Sequence, residues 1–324
     1  MNRIYFLPVA LVLLGIELIY FRLARAYGIM DKPNDRSLHQ KPTIRGGGII
    51  FPVALLLFYF FMGEVSYYFV IALTMIAIVG LMDDIHSLSR SVRFTVQAVA
   101  MLLVFYDLAI FAHAWWTILF LMFVATGTVN AYNFMDGING ITGGYSLVVL
   151  TSLLYVNSFI FPFVDNDLLL VMSVALVIFS FFNFRTKAVC FAGDVGSLTI
   201  GFAIIYLILK LAMAAHNYVF ILFLAVYGTD SVLTVIHRLI LRQNIFKAHR
   251  LHLYQVVISS TGLPHLPMTL MYMAAQALAS TLIIDHLTQS PQQQYLLGAS
   301  LLILLSLTYI VLKRYYYKPN THVL

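Results

Sequence analysis

About eleven apolar stretches, most approaching the roughly 20 residues a helix needs to cross a hydrocarbon core, follow one another with short polar connections. They centre on residues 4–21, 49–62, 68–81, 94–110, 115–129, 141–161, 168–184, 198–214, 219–241, 267–284 and 295–312. Such a chain is expected to be all-α: a polytopic integral membrane protein with about eleven transmembrane helices. Composition agrees, because 61% of residues are hydrophobic and only 10% charged, whereas a soluble domain carries about 25% charged residues. A nucleic-acid-binding domain, a disordered tail and a disulfide scaffold are excluded, and the single cysteine, Cys190, cannot form an internal bridge. No linker or second compositional regime interrupts residues 1–324, which read as one membrane domain.

Charge then reports orientation. If the spans alternate from an outside N-terminus, all of the 19 Lys and Arg residues except Arg3 and Lys210 fall on one side. The positive-inside rule makes that side cytoplasmic, together with the C-terminus, where Tyr315, Tyr316 and Tyr317 between basic residues read as an interfacial anchor. Arg3, an apolar run and Ala24-Arg25-Ala26 imitate a signal peptide, but Arg22, Arg25 and Lys32 directly after the run favour a retained span.

The 13 acidic residues are informative because a carboxylate near lipid is costly. Glu64, Asp107, Asp165, Asp167 and Asp285 fall in expected outside connections, where water explains them. Asp83 and Asp84 end the third span, Asp136 follows the fifth and Asp194 follows the seventh, all on the basic side. Carboxylates facing basic residues at one membrane surface suit a hard divalent cation with a polyphosphate. A surface of mutually neutralising charges is the plainer alternative.

Local patterns add to this. Asn130, Asn133 and Asp136 recur every three residues and would share a face if the helix continued, before glycines at 137, 140, 143 and 144. In Gly193-Asp194-Val195-Gly196-Ser197, Ser197 is placed to cap the following helix. The first basic loop carries Arg36 and His39 and leaves through Arg45-Gly46-Gly47-Gly48. In Lys247-Ala248-His249-Arg250-Leu251-His252, the two histidines lack a nearby carboxylate or cysteine in the segment, so phosphate binding suits them better than zinc. Asp230, inside the ninth span, reads equally as a buried structural acid or as support for a site.

Taken together, Arg36…His39…Gly46-Gly47, Gly80-Leu81-Met82-Asp83-Asp84, Asn130-x-x-Asn133-x-x-Asp136-Gly137, Gly193-Asp194-x-Gly196-Ser197 and His249-Arg250-x-His252 resemble the polyprenyl-phosphate N-acetylhexosamine-1-phosphate transferases, bacterial glycosyltransferase family 4. The motifs stand in family order, all on the expected cytoplasmic side. Two positions depart from the pattern: Asn139 stands where many bacterial members have Asp, and His252-Leu253-Tyr254-Gln255 replaces a His-rich ending.

The resemblance implies an enzyme of the bacterial inner (plasma) membrane. It would transfer HexNAc-1-phosphate, from UDP-GlcNAc or a UDP-6-deoxy-HexNAc, to undecaprenyl phosphate. UMP would leave, and undecaprenyl-diphospho-HexNAc would start a surface polysaccharide or O-antigen. It further implies Mg²⁺, with Mn²⁺ as a substitute, held by Asp194 and Asn133. Asp83 and Asp84 would position or deprotonate the lipid phosphate, and Arg93 would meet the pyrophosphate. Asp136 and Asn139 would lie near the nucleotide, and His249, Arg250 and His252 on the sugar-phosphate side, with Asn130, Arg36 and His39 completing the substrate contacts. The partners are then the donor, the lipid acceptor and the bilayer, with no nucleic acid; monomer and homodimer stay open. A secondary transporter with a charged cytoplasmic site is the competing class, and a CDP-alcohol phosphotransferase fails because Asp136-Gly137 is followed by Ile138-Asn139-Gly140.

Overall fold

The computed structural model describes residues 6–31, 42–244 and 249–317. Arg36, His39 and Lys247 lie outside the described residues. Of the described residues 79% are helical, and almost none are in strands. Its helices are α1 (Phe6–Tyr27), α2 (Ile50–Phe61), α3 (Tyr67–Ile85), α4 (Arg90–Asp107), α5 (Trp115–Met135), α6 (Ile141–Phe159), α7 (Asn166–Asn183), α8 (Gly193–Ala214), α9 (Ala225–Ile240), α10 (Leu253–Thr261), α11 (His265–Asp285) and α12 (Pro291–Tyr316).

Nine helices among the described residues are long and apolar enough to cross a membrane, α9 counting together with the 3₁₀ stretch Tyr218–Leu224 before it. The protein is a multi-pass membrane protein. Two expected spans are weaker. The helix α2 has only 12 residues. The helix α4 brings Arg90, Arg93, Gln97 and Asp107 into its 18. The short α10 lies inside what the sequence offers as a connection; it starts at His252, whose backbone N–H donates to Gln255 Oε1 at 3.2 Å. That contact supplies a helix start without Ser, Thr, Asp or Asn.

The helix α8 is the axis of the bundle. In its most apolar stretch 94% of residues are buried, against 17% in α1 and in α12, so α8 meets protein all round while α1 and α12 face outward. It packs against α2, α3, α5 and α6. Beside it the rings of Tyr145 (α6) and Tyr227 (α9) stack 3.6 Å apart, with hydroxyls donating to Gln276 Oε1 at 2.7 Å and to the Ile141 carbonyl at 3.1 Å. Buried tyrosines need such partners, and here they join α6, α9 and α11.

Positive charge sets the expected orientation, and the exposed Ser89, Thr186 and Gln292 test it. Cysteine probes at Ser89 and Thr186 should resist membrane-impermeant maleimide in intact cells, and a probe at Gln292 should label. Buried Cys190 leaves a quiet background. Labelling at Ser89 from outside would reverse the orientation.

Candidate active site

The site begins with backbone geometry. Met30-Asp31 pairs antiparallel with Thr43-Ile44, and Ile44 bridges to Cys190. The ladder runs on as Phe191 N–H donates to Ile44 O (2.8 Å), Gly47 N–H to Phe191 O (2.8 Å) and Gly48 N–H to Ala192 O (3.0 Å). The exit of the first loop is thereby laid along the entry to α8. Gly193, with φ +70°, is required at the junction: a Cβ there would come within 2.5 Å of Asp84 Oδ2 and 2.6 Å of the Gly46 nitrogen.

Asp84, at the end of α3, closes the start of α8. Its Oδ1 accepts the Asp194 N–H at 2.9 Å and its Oδ2 the Val195 N–H at 3.0 Å. A helix N-terminus presents unpaired N–H groups and a positive dipole end, and a carboxylate satisfies both. Arg45 Nε also donates to Asp84 Oδ1 at 2.6 Å. The cap therefore comes from another helix, whereas Ser197, expected as the cap, lies within α8 and donates to Gly193 O at 2.8 Å.

With α8 fixed, Asp194 stands among four other side chains. Arg45 Nη2 lies 3.5 Å from its Oδ1 and Arg93 Nη1 3.3 Å from its Oδ2. Arg93 also donates to Asp83 Oδ2 at 2.8 Å, while Asp83 Oδ1 accepts the Leu88 N–H at 2.7 Å. Asn133 Nδ2, from α5, donates to Asp194 Oδ1 at 2.8 Å and to Ser197 Oγ at 3.1 Å. Burial works against the Arg45 charge, but Asp84 and Asp194 outweigh it and hold the guanidinium above its usual range. Arg45 was not separable in sequence from the other loop cations; the glycine run directly after it is the one signal that marks it.

These donors can be tested against Mg²⁺. Among the described residues no group of three His, Cys, Asp or Glu side chains is gathered as a metal-holding set. The donors present that suit a hard cation are the Asp194 and Asp83 carboxylates, which share Arg93, with the Asn133 amide beside them.

The Asn130–Gly140 segment divides by role. The helix α5 ends at Met135, so Asp136 leaves the Asn130–Asn133 face instead of continuing it. Asn130 Nδ2 donates to Gln97 Oε1 (3.0 Å) and Thr126 O (2.8 Å), tying α5 to α4. Asn139 Nδ2 donates to Arg185 O (2.7 Å) and Thr186 O (3.2 Å), tying the turn to the loop after α7. Asp136 accepts from Thr142 Oγ1 at 2.7 Å. Burial raises its carboxyl to about 6, although the Thr142 hydroxyl pulls it down.

The loop before α10 docks on this same turn. Tyr254 donates to Phe134 O at 3.3 Å and its hydroxyl rests against Gly137, while the His249 ring lies 6.5 Å from that of Phe134 and 5.1 Å from that of His252. Tyr254 and Gln255, the two departures from the family pattern, are buried. Burial, with His252, Arg238 and Lys313 nearby, pushes His249 down to about 3, so it offers hydrogen bonds and no charge at neutral pH. Lys313, expected in the interfacial anchor, is instead buried and donates to the Leu251 carbonyl.

Two outcomes follow from these contacts. Asp84→Asn turns one acceptor into a donor against the amides of α8 or Arg45 and should lower stability by about 1–3 kcal/mol; Asp83→Asn should cost less, which thermal unfolding in detergent measures. For Asp136, a carboxyl raised to about 6 keeps its proton longer folded than unfolded, so its contribution is fully present in acid and is lost as pH rises from about 4 to 6. The melting temperature of Asp136→Asn relative to wild type should therefore climb across that window and then level off.

Comparison with known proteins places these residues in a family. Glycosyl transferase family 4 matches residues 66–212, which include Asp83, Asp84, Arg93, Asn133, Asp136 and Asp194. Over 286 residues the chain is 26% identical to the "Probable undecaprenyl-phosphate N-acetylglucosaminyl 1-phosphate transferase" of Bacillus subtilis (strain 168), covering 80% of this chain and 78% of that protein. It is 26% identical over 291 residues to the undecaprenyl-phosphate alpha-N-acetylglucosaminyl 1-phosphate transferase of Escherichia coli (strain K12), covering 80% and 77%. The Yersinia pestis protein of that name is 26% identical over 295 residues, covering 84% and 81%. The ordered motifs, their convergence around Asp194 and these similarities lead to one assignment: residues 66–212 match glycosyl transferase family 4, and the chain is a multi-pass membrane protein similar over most of its length to glycosyl-1-phosphate transferases.

Proposed function

We propose that the enzyme transfers HexNAc-1-phosphate from a UDP-sugar to undecaprenyl phosphate, releasing UMP and forming undecaprenyl-diphospho-HexNAc at the bacterial plasma membrane. The observation that carries this reading is the pair of arginines, Arg45 and Arg93, held on either side of Asp194 beside Asp83. Both substrates are anions, and their approach is the main difficulty of the reaction. An oxygen of the lipid phosphate attacks the phosphorus bonded to the sugar; its bond to the UMP oxygen breaks, and UMP carries the electron pair away. Phosphoryl transfer asks a protein mainly for positioning and charge stabilisation.

Arg93 bridges Asp83 and Asp194 and is the cation placed to exchange a carboxylate for the pyrophosphate. Asp83 has fewer fixed donors than Asp84 and stands nearest the role of orienting the lipid phosphate. Asp84 serves by holding α8 and not by touching the reactants. Asp194, with Asn133 and Asp83, would hold Mg²⁺, which when bound lowers the repulsion between the two phosphates. A phosphomonoester has its second pKa near about 6, so the lipid phosphate is already largely dianionic, which favours direct attack.

The relatives' names carry N-acetylglucosamine, and this is the donor we place first. A UDP-6-deoxy-HexNAc is the second, motivated by Tyr254-Gln255 in place of His-His. These residues wedge against Gly137 and cap α10, so they would act on the sugar through the shape of that turn.

Purified protein with undecaprenyl phosphate, Mg²⁺ and a panel of UDP-sugars should release UMP, fastest with one UDP-HexNAc. Asp194→Asn should fold, insert and lose turnover. Absence of UMP with every donor, joined to solute uptake in vesicles, would instead support a transporter; wild-type turnover in Asp194→Asn would remove this residue from the mechanism.

A further inference from the structure

Beneath the His249–His252 loop lies a buried acid that the proposed transfer does not use. Asp230, in α9, is 3% exposed and its two oxygens take five contacts from four groups. His252 Nδ1 lies 3.2 Å from Oδ1, Thr234 Oγ1 donates to Oδ1 at 3.0 Å, and the Leu253 N–H reaches both oxygens at 3.1 and 3.2 Å. From α11, Tyr272 donates to Oδ2 at 2.6 Å. Tyr309 of α12 lies 2.9 Å from Thr234 Oγ1, and Lys313, one turn on, anchors the Leu251 carbonyl. Residues of α9, α11 and α12 thus gather around this acid and the imidazole of His252.

That imidazole is itself buried, at 2% exposure, and its other nitrogen, Nε2, is shut from solvent without a hydrogen-bond partner. A buried polar atom left unpaired calls for an explanation, and a ligand that pairs with it on binding is one. A carboxylate can only accept, so the Asp230 contact requires the proton on Nδ1. In the neutral ring Nε2 is then a bare acceptor, which suits a hydroxyl or amide N–H and repels a phosphate oxygen.

We propose that Asp230 is a positioning residue that fixes His252 in its Nδ1–H tautomer, so that Nε2 accepts a hydrogen bond from a hydroxyl or the acetamido N–H of the donor sugar. This rests on the transfer reaction proposed above and adds a sugar contact to the loop that the resemblance assigns to the phosphate side.

The test joins spectroscopy to kinetics on the full-length protein in detergent. In ¹⁵N-histidine-labelled wild type, the signals lost in His252→Gln should show a protonated Nδ1 and an unprotonated Nε2. The opposite tautomer overturns the proposal, whatever becomes of any variant. Asp230→Asn, whose amide oxygen is a weaker acceptor than a carboxylate, should weaken that preference. It should also lower kcat/KM for the UDP-HexNAc roughly 10–100-fold, the range typical when an orienting partner is lost, with KM for undecaprenyl phosphate unchanged. Adding His252→Gln to Asp230→Asn should cost nothing more, and Tyr272→Phe, which spares the His252 contact, should stay close to wild type. Multiplying losses in the double variant, or equal losses in Tyr272→Phe and Asp230→Asn, would make Asp230 a structural tie and defeat the proposal. Should wild type release no UMP from any UDP-HexNAc, the transferase reading fails while the tautomer result stands apart.

Discussion

The Asp84 carboxylate, set into the first turn of α8, is the interaction on which the rest of the site depends. It takes the Asp194 and Val195 N–H groups and Arg45 at once, and so fixes α3, the glycine-rich exit of the first loop and the most buried helix of the bundle in one place. Asp194 can face Arg45, Arg93 and Asn133 only because its own backbone is held this way. In a membrane protein this economy has a physical reason. The apolar surfaces of the outer helices give lipid no cause to prefer one register over another, so polar contacts at the helix ends must set it.

A second consequence is that neighbouring residues of the same type do different work. Asp83 and Asp84 are adjacent, yet Asp84 accepts two helix amides while Asp83 meets one amide and Arg93. Asn130 and Asn133 are one turn apart, yet Asn130 ties α5 to Gln97 of α4 while Asn133 reaches Asp194. Each pair supplies one residue that ties helices together and one that is linked to the Asp194 side chain, through Arg93 or directly. In the loop before α10, His252 likewise rests on Asp230 of α9.

This also explains what could be read beforehand. Apolar runs reveal helices because lipid demands them, so the bundle and the acids stranded at its basic end were legible. The motif order led to the family. The distribution of work was not, because it rests on pairings between distant positions: Asp84 and Asp194 are 110 residues apart, and Lys313 meets Leu251 across 62. Local rules placed the cap of α8 at Ser197 for the same reason, since a cap contributed by another helix leaves no mark beside the helix it caps. Asp230 stayed ambiguous until Tyr272, Thr234 and His252 stood around it.

Hydrogen exchange at the Asp194 and Val195 amides tests most directly whether Asp84 holds the site together. In wild type both should exchange far more slowly than the amides of an uncapped helix start. In Asp84→Ala their protection should collapse while the interior of α8, from Leu198 onward, keeps its own. Equal protection of these two amides with and without the carboxylate would mean that α8 is seated by something else, and the account of how Asp194 is presented would fail.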